Sequence, residues 1–530
     1  MKKMIASACA ALLFQGLVVS AATFTWTGDA GDNQWANTLN WVTNNTLAAA
    51  SPPANGDTVA INNAGGQPAR AVVSGIEVPN GGGWLNTVTL AAAPADDAAL
   101  VIEGGAVFSA SGQITAGSNG TGMLEVTNAT LKTSSNASIS IANNNGSSGA
   151  FYVREGGVVD CAYSVNIGAQ GNGHFEMNGG KLSTSRHFSL GVSAGGHGVA
   201  FINAGVLQIG YDTMVGQSGT GFLTISSTNA AASTRSLYIG NANGARGTVV
   251  LDGATLTVSA SASCVVGRGE GGTSGTGVLE LRDGTVASSS GAGFYVRNAV
   301  DSFGMARGWG RVYNFRNIQN NGLVIADGEG VDRELYMNIN RNDGYVTCAI
   351  PNGPHETNGW HAVNKGMLTL QLRNPNGASS GLGVTTPAFC WGETEANETP
   401  GLVNSFRVSF NGAAANGVFS ASLLAPDRDD VAANTPLPPS TPLGLWDVSF
   451  SQNFDAVDFE CRYDHAKLPN GHSARLMRWN PATEAWEKLQ TFEPGPRRVK
   501  AAALPQQATA KRVGLIGAFA APSPTLFFIK

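Results

Sequence analysis

Charge is scarce in this 530-residue chain: Asp, Glu, Lys and Arg make up 13% of it, about half the ~25% usual for globular domains. The balance is acidic, with 32 Lys and Arg against 37 Asp and Glu. A nucleic-acid surface demands a basic stripe, so no nucleic-acid partner is expected. Long apolar runs are missing beyond the first 22 residues, which excludes a transmembrane segment from the processed chain. Cysteines are few and scattered. Cys9 lies in the leader, and the other five are Cys161, Cys264, Cys348, Cys390 and Cys461. An odd, dispersed set forms neither a disulfide framework nor a zinc ribbon. Buried free thiols are expected, with a Cys390–Cys461 bridge open in an oxidising compartment. P-loop, GxSxG, HExxH and CxxC motifs are all absent. Apolar residues do not recur at spacings of three or four, so a helical solenoid is excluded.

What is present begins with a leader. MKKMIASACAALLFQGLVVSAA has two lysines, an apolar run from Met4 to Val19, then small residues. Those are the parts of a secretory signal peptide, cleaved after Ala21 or Ala22. Losing Lys2 and Lys3 takes the net charge from −5 to −7. Glycine is abundant, at 69 residues, and with Asn, Ser and Thr it suits short strands joined by tight turns.

The glycines mark a repeat. Units start at Ala98, Gly122, Gly149, Gly173, Gly198, Gly221, Gly247 and Gly277, at spacings of 23 to 30 residues. Two and four residues after each start stand apolar residues such as Leu100 and Ile102, Phe151 and Val153, or Leu279 and Leu281. Nine after comes a third: Val107, Leu131, Val158, Leu182, Leu207, Ala230, Leu256 and Val286. A closing pair follows in most units, as in Ile139/Ile141 and Phe188/Leu190. Gly310 is expected to open a ninth, degraded unit. A spacing of two is strand periodicity, with alternate side chains on one face. Each unit therefore reads as strand, turn, strand, turn, strand. Consecutive units with matching inward columns predict an all-β fold: a right-handed parallel β-helix of about nine or more coils, then a C-terminal antiparallel β-sandwich. One coil alone buries too few side chains to offset the entropy of ordering its backbone. Stacking closes the core and pairs the strand edges. At ~4.8 Å per coil, nine coils make a rod roughly 40 Å long.

The pattern "GxLxVxGGxL…IG" resembles the autotransporter-associated β-strand repeats of large secreted bacterial proteins. The opening FTWTGDAGDNQWANTLNWV, followed by PPANGDTVAINNAGG, is similar to the Trp-rich start of such chains. The resemblance covers about residues 23–330 and implies a passenger-like rod at the surface of, or outside, a bacterium. It departs at the end: self-exporting chains finish in a membrane barrel of alternating strands. The region after the rod is broken by Pro and Gly, and no translocator is read there.

The expected organisation is 1–22 signal peptide, 23–97 Trp-rich cap with irregular coils, 98–384 β-helix, 385–520 β-sandwich and 521–530 tail. Trp26, Trp35, Trp41 and Trp84 read as a lid over the open core, with sugar stacking as the functional alternative. Asp29 and Asp32 read as turn residues before a Ca²⁺ site. His355, Glu356 and His361 in HETNGWH fit no standard metal spacing. The run VDFECRYDHAKLPNGHSARLMRWNPATEAWEKL resembles a β-sandwich module at the C-termini of secreted bacterial repeat proteins. No cofactor and no metal are expected.

Two outward columns carry the functional expectations. Three residues after each start stand Glu125, Tyr152, Glu176, Phe201, Thr224, Val250 and Glu280, with Arg154 beside Tyr152. Glu125 and Glu176 lie two coils apart, ~9.6 Å between backbones, which approaches the separation of an inverting glycosidase pair. Outward Glu and Arg ordinarily solubilise a strand face, so the primary reading is non-catalytic. Glu125, Glu176, Tyr152 and Arg154 are the residues of the alternative, a polysaccharide lyase or glycoside hydrolase. The second column is Ser140, Asn166, Ser189, Met214, Tyr238, Val265 and Tyr295. It turns apolar toward its end, and exposed apolar stripes mark contact. Met214, Tyr238, Val265 and Tyr295 are expected to pack under the C-terminal module or to stack glycans. The function expected is an exported structural or adhesive rod, with extracellular glycans or cell-surface components as partners.

Overall fold

The computed structural model describes residues 21–44, 47–63, 67–259, 262–268, 275–289, 291–299, 302–320, 322–326, 333–339, 346–348, 359–362, 367–372, 389–394, 402–411, 417–423, 435–450, 453–463, 467–492, 498–508 and 513–522. Residues 1–20 of the leader and the pair His355/Glu356 lie outside them; His361 is described only as backbone, on the strand Gly359–Ala362. Among the described residues, no helix is long and apolar enough to cross a membrane.

The chain is all-β, with a parallel solenoid of about 10 turns followed by antiparallel, sandwich-like sheets. The unit starts form one unbroken ladder: Ala98, Gly122, Gly149, Gly173, Gly198, Gly221, Gly247 and Gly277 each pair with the next. The ladder reaches back to Ala69 and forward to Gly304. The ninth unit therefore opens at Gly304. Gly310 pairs with Gly284, the turn glycine of the previous coil, and similarity between the two glycine positions misplaces it in the sequence.

Inward positions form continuous columns. Leu100, Leu124, Phe151, Phe175, Ala200, Leu223, Val249 and Leu279 are wholly buried. The third column runs Phe108, Leu131, Val159, Leu182, Leu207, Ala232, Leu256, Val286 and Val312. Leu131, Leu182, Leu207 and Leu256 occupy it as expected, but Val107, Val158 and Ala230 do not. Val107 and Val158 turn outward, Val158 being 37% exposed, while Phe108 and Val159 face the core. Ala230 is buried at the start of the same strand, Ala230–Thr234, on the rung of Gly205. The cause is the first turn of each coil, whose length varies: EGGA and REGG hold an extra residue relative to TNA, and the turn before Ala232 holds two. A fixed offset of nine cannot follow that variation, and a slip of one reverses a strand residue's face.

The repeat glycine has a steric cause. A Cβ on Gly221 would lie 2.1 Å from the Gly216 nitrogen. Gly216 in turn holds φ at 68°, and its own Cβ would meet the Arg246 carbonyl oxygen at 2.2 Å. Corner and strand start nest with no side chain between them.

The N-terminal lid is aromatic. Trp26, Trp35 and Trp41 are at most 2% exposed. The Trp41 ring meets Trp26 and Trp35 edge-on, at 4.9 and 4.7 Å, and Trp35 meets Phe108 at 5.4 Å. Trp41 Nε1 donates to the Trp35 carbonyl. Trp84 stays 36% exposed, outside the lid. Both Asp32 carboxylate oxygens accept hydrogen bonds, from Gln34, Asn37 and Asn40, as in a braced turn.

At the other end Met367–Leu372 pairs antiparallel with Gly417–Leu423, which pairs with Pro442–Phe450. The solenoid ladder thus runs on into one sheet of the C-terminal region. A second sheet holds Phe389–Thr394, Leu402–Asn411, Ala456–Arg462 and Arg498–Leu504. Trp446 of one sheet meets Phe459 of the other, rings 5.8 Å apart. Cys161, Cys264 and Cys461 are buried free thiols. The Cys390–Cys461 bridge is therefore not formed.

Candidate functional site

Both outward columns exist as ladders. On the first face Glu125, Tyr152, Glu176 and Phe201 stand on successive rungs. Two residues earlier runs a parallel column of Ala150, His174, Val199 and Phe222. Rings from the two columns make a diagonal on four successive coils. Tyr152 to His174 is 5.8 Å, His174 to Phe201 5.8 Å and Phe201 to Phe222 6.2 Å between centroids. These distances fall within the range of aromatic contact, so the rings form one strip along the rod.

Polar groups border the strip. The Glu176 carboxylate lies 3.6 Å from Arg154 Nη1 and 3.6 Å from His174 Nε2. Asn178 Nδ2 donates to Glu176 Oε1. The Arg154 guanidinium lies over the Tyr152 ring, 4.6 Å from its centroid. Side-chain exposures of 26% for Glu176, 34% for Arg154 and 37% for His174 leave all three open to a ligand. Glu125 sits one rung below Tyr152 and accepts the Thr127 hydroxyl at 3.2 Å. Tyr152 therefore stands between the two carboxylates of the alternative enzymatic pair. Asn178 extends the polar edge, donating nothing to Asn203 but accepting its amide at 2.7 Å.

The second column also forms one ladder, from Ser140 to Tyr295. Its apolar end is not an exposed stripe: Met214 is 9% and Val265 3% exposed. Tyr238 and Tyr295 are half-buried, and each carries a guanidinium over its ring, Arg268 at 4.1 Å and Arg297 at 5.4 Å. Those ring faces are already occupied by cations.

Of the expected residues, Tyr152, Arg154 and Glu176 are brought together. Glu125 is adjacent, and Met214, Tyr238, Val265 and Tyr295 belong to another face. His174, Asn178 and Phe222 were not singled out by the sequence. The signal was available in the column one residue after each start, where His174 and Phe222 share a register. In comparisons with known proteins, no family model, no curated protein and no solved structure matches the chain.

Proposed function

We propose that the protein is an exported, non-catalytic β-helix rod of the kind its repeats resemble, acting at a bacterial surface or outside the cell as a structural or adhesive element that contacts carbohydrate. The observation that carries this reading is the ring strip that starts at Tyr152, one face of which Arg154 covers, and runs on through His174, Phe201 and Phe222, bordered by Glu176, Arg154 and Asn178. Ring faces take the C–H faces of sugars, while a carboxylate, a guanidinium and an amide take hydroxyls. A strip along the rod axis suits a polymer, whose units repeat as the coils do.

The alternative is a polysaccharide lyase or glycoside hydrolase using Glu125, Glu176, Tyr152 and Arg154. The Arg154–Glu176 contact is what favours it. The placement of Tyr152 between the two carboxylates, and the ties of Glu176 to three neighbours, favour binding instead.

The test is a glycan array with the processed chain and its Phe201→Ala and Phe222→Ala variants, alongside a polysaccharide-cleavage panel. Binding that the aromatic variants weaken, with no cleavage, supports the proposal. Cleavage abolished by Glu176→Gln would transfer the assignment to the enzyme.

A further inference from the structure

A second polar column runs along the corner between the second and third strands, on four successive coils. Arg186 N donates to the Tyr163 carbonyl at 3.0 Å, Tyr211 N to the Arg186 carbonyl at 3.1 Å, and Arg235 N to the Tyr211 carbonyl at 2.7 Å. The rungs alternate Tyr, Arg, Tyr, Arg. Each guanidinium is held against the phenol ring before it, Arg186 at 5.6 Å from Tyr163 and Arg235 at 3.4 Å from Tyr211.

Beneath the column lies Asp212, 7% exposed. Its carboxylate is 3.6 Å from Arg235 Nε and 3.9 Å from His187 Nδ1. The His187 ring meets Tyr211 edge-on at 5.1 Å. Arg235 Nε, Asp212 Oδ1 and His187 Nδ1 are all buried without a hydrogen bond. Buried polar atoms left this way are rare, and loosely spaced buried ion pairs add little stability. Asp212 approaches Arg235 on its Nε side at ion-pair distance without a hydrogen bond, and the two Nη atoms form the rest of the fork. Among the described residues none hydrogen-bonds them. The exposed Arg186 guanidinium likewise has no carboxylate partner there.

We propose that the Tyr163–Arg186–Tyr211–Arg235 corner binds an acidic polysaccharide laid along the rod axis, its carboxylates on the two arginines. Guanidinium groups take carboxylates bidentately, and these two are pre-positioned on tyrosine faces, which lowers the ordering cost of binding. The arginines stand on alternate coils, ~9.6 Å apart along the axis. Duplex DNA carries a charge every ~1.7 Å, and a column this sparse on an acidic chain cannot match that density. A polyuronate that sets every second carboxylate on an arginine, with the sugar between lying over the intervening phenol, matches both the arginines and the tyrosines. The residues are distinct from the aromatic strip of the first face, so the two proposals stand or fall separately.

The experiment titrates the processed chain with polygalacturonate oligomers by calorimetry, with neutral dextran and duplex DNA of equal total charge as competitors. Arg186→Gln removes an exposed side chain and should keep the fold, read as an unchanged urea midpoint. It should weaken polygalacturonate binding about tenfold, as expected for one charge-assisted contact. Asp212→Asn, which frees Arg235 to move, should weaken it less, and Phe201→Ala not at all. The proposal is overturned if polygalacturonate does not bind, if Arg186→Gln binds it as well as the parent chain, or if dextran or DNA competes equally. Loss of binding in Phe201→Ala with Arg186→Gln unaffected would also overturn it, by placing the acidic polymer on the first face.

Discussion

Gly221→Ala tests the steric account of the repeat. The added methyl would lie 2.1 Å from the Gly216 nitrogen, 2.8 Å from the Val215 carbonyl carbon and 3.0 Å from the Gly216 Cα. All three are backbone atoms, so no side chain can swing aside. To reach ordinary contact the corner must retreat by more than 1 Å, roughly, since carbon contacts settle at ~3.5–4.0 Å. The corner is tied on both sides: Gly216 N donates to the Leu190 carbonyl at 3.0 Å, and Gly240 N donates to the Val215 carbonyl at 2.9 Å. Overpacking costs ~1–3 kcal/mol where side chains can yield, and each strained backbone hydrogen bond adds about 1 kcal/mol. The expected loss is about 3–5 kcal/mol, read from urea denaturation followed by far-UV circular dichroism. Thr248→Ala, on the outer face one rung away, is the control and should stay within ~0.5 kcal/mol of the parent. If Gly221→Ala unfolds with Thr248→Ala, the corner is not packed against the strand start, and the reason given for the glycine ladder is wrong.

Leu182→Ala, wholly buried between Val159 and Leu207, should cost ~2–5 kcal/mol in the same denaturation assay, whereas Val158→Ala on the outward side of the same strand pair should cost little. Burial holds the His187 imidazole below its usual pKa, against the opposing pull of Asp212, so the unfolded chain takes up its proton first as pH falls. His187 then contributes stability above the unfolded imidazole pKa that is lost as pH drops through the folded one; a smaller decrease in the urea midpoint between pH 7.5 and 5 for His187→Gln than for the parent checks the sign. Burial pushes the Cys161, Cys264 and Cys461 thiols up, so these three should resist iodoacetamide in the native chain and react in urea, as mass spectrometry of the corresponding peptides would record.

The core was legible because its period is strict where packing is strict. Phe151, Phe175 and Leu223 sit two residues after a glycine whose added Cβ would collide with the neighbouring backbone, and the count from that glycine never slips. Val107 and Val158 look inward in the linear pattern but face outward, because the turn between the first and second strands is solvent-facing and free to gain a residue. Each gain moves the next inward position by one. The Gly310 error has the same root: Gly284 and Gly310 share a turn rung, and a turn glycine looks like a starting glycine in a linear string. The lid was legible from Trp26, Trp35 and Trp41, since a rod must close its open end. The sites were less so. Tyr152 and Arg154 are close in sequence, but His174 reaches Phe201 only through a cross-coil diagonal. Tyr163, Arg186, Tyr211 and Arg235 do recur at the repeat's own spacing, though at a corner where no hydrophobic column draws attention to them.

The same rung spacing that makes the core continuous also sets what the outside can hold. Every outward side chain repeats at ~4.8 Å along the axis, so neighbouring functional groups come in register without any loop to position them. Five tyrosines of the solenoid, Tyr152, Tyr163, Tyr211, Tyr238 and Tyr295, each carry an arginine over the ring. On Tyr238 and Tyr295 that cation closes a ring face beside buried Met214 and Val265. At the corner the cation covers Tyr211 as well, while Asp212 meets the guanidinium only on its Nε side. On the first face Arg154 covers Tyr152 and also reaches Glu176, and the rings beyond, Phe201 and Phe222, have no arginine over them among the described residues. One pairing rule thus yields three surfaces of different chemistry, and which partner takes the guanidinium decides whether a ring, a cation or neither is offered to a ligand.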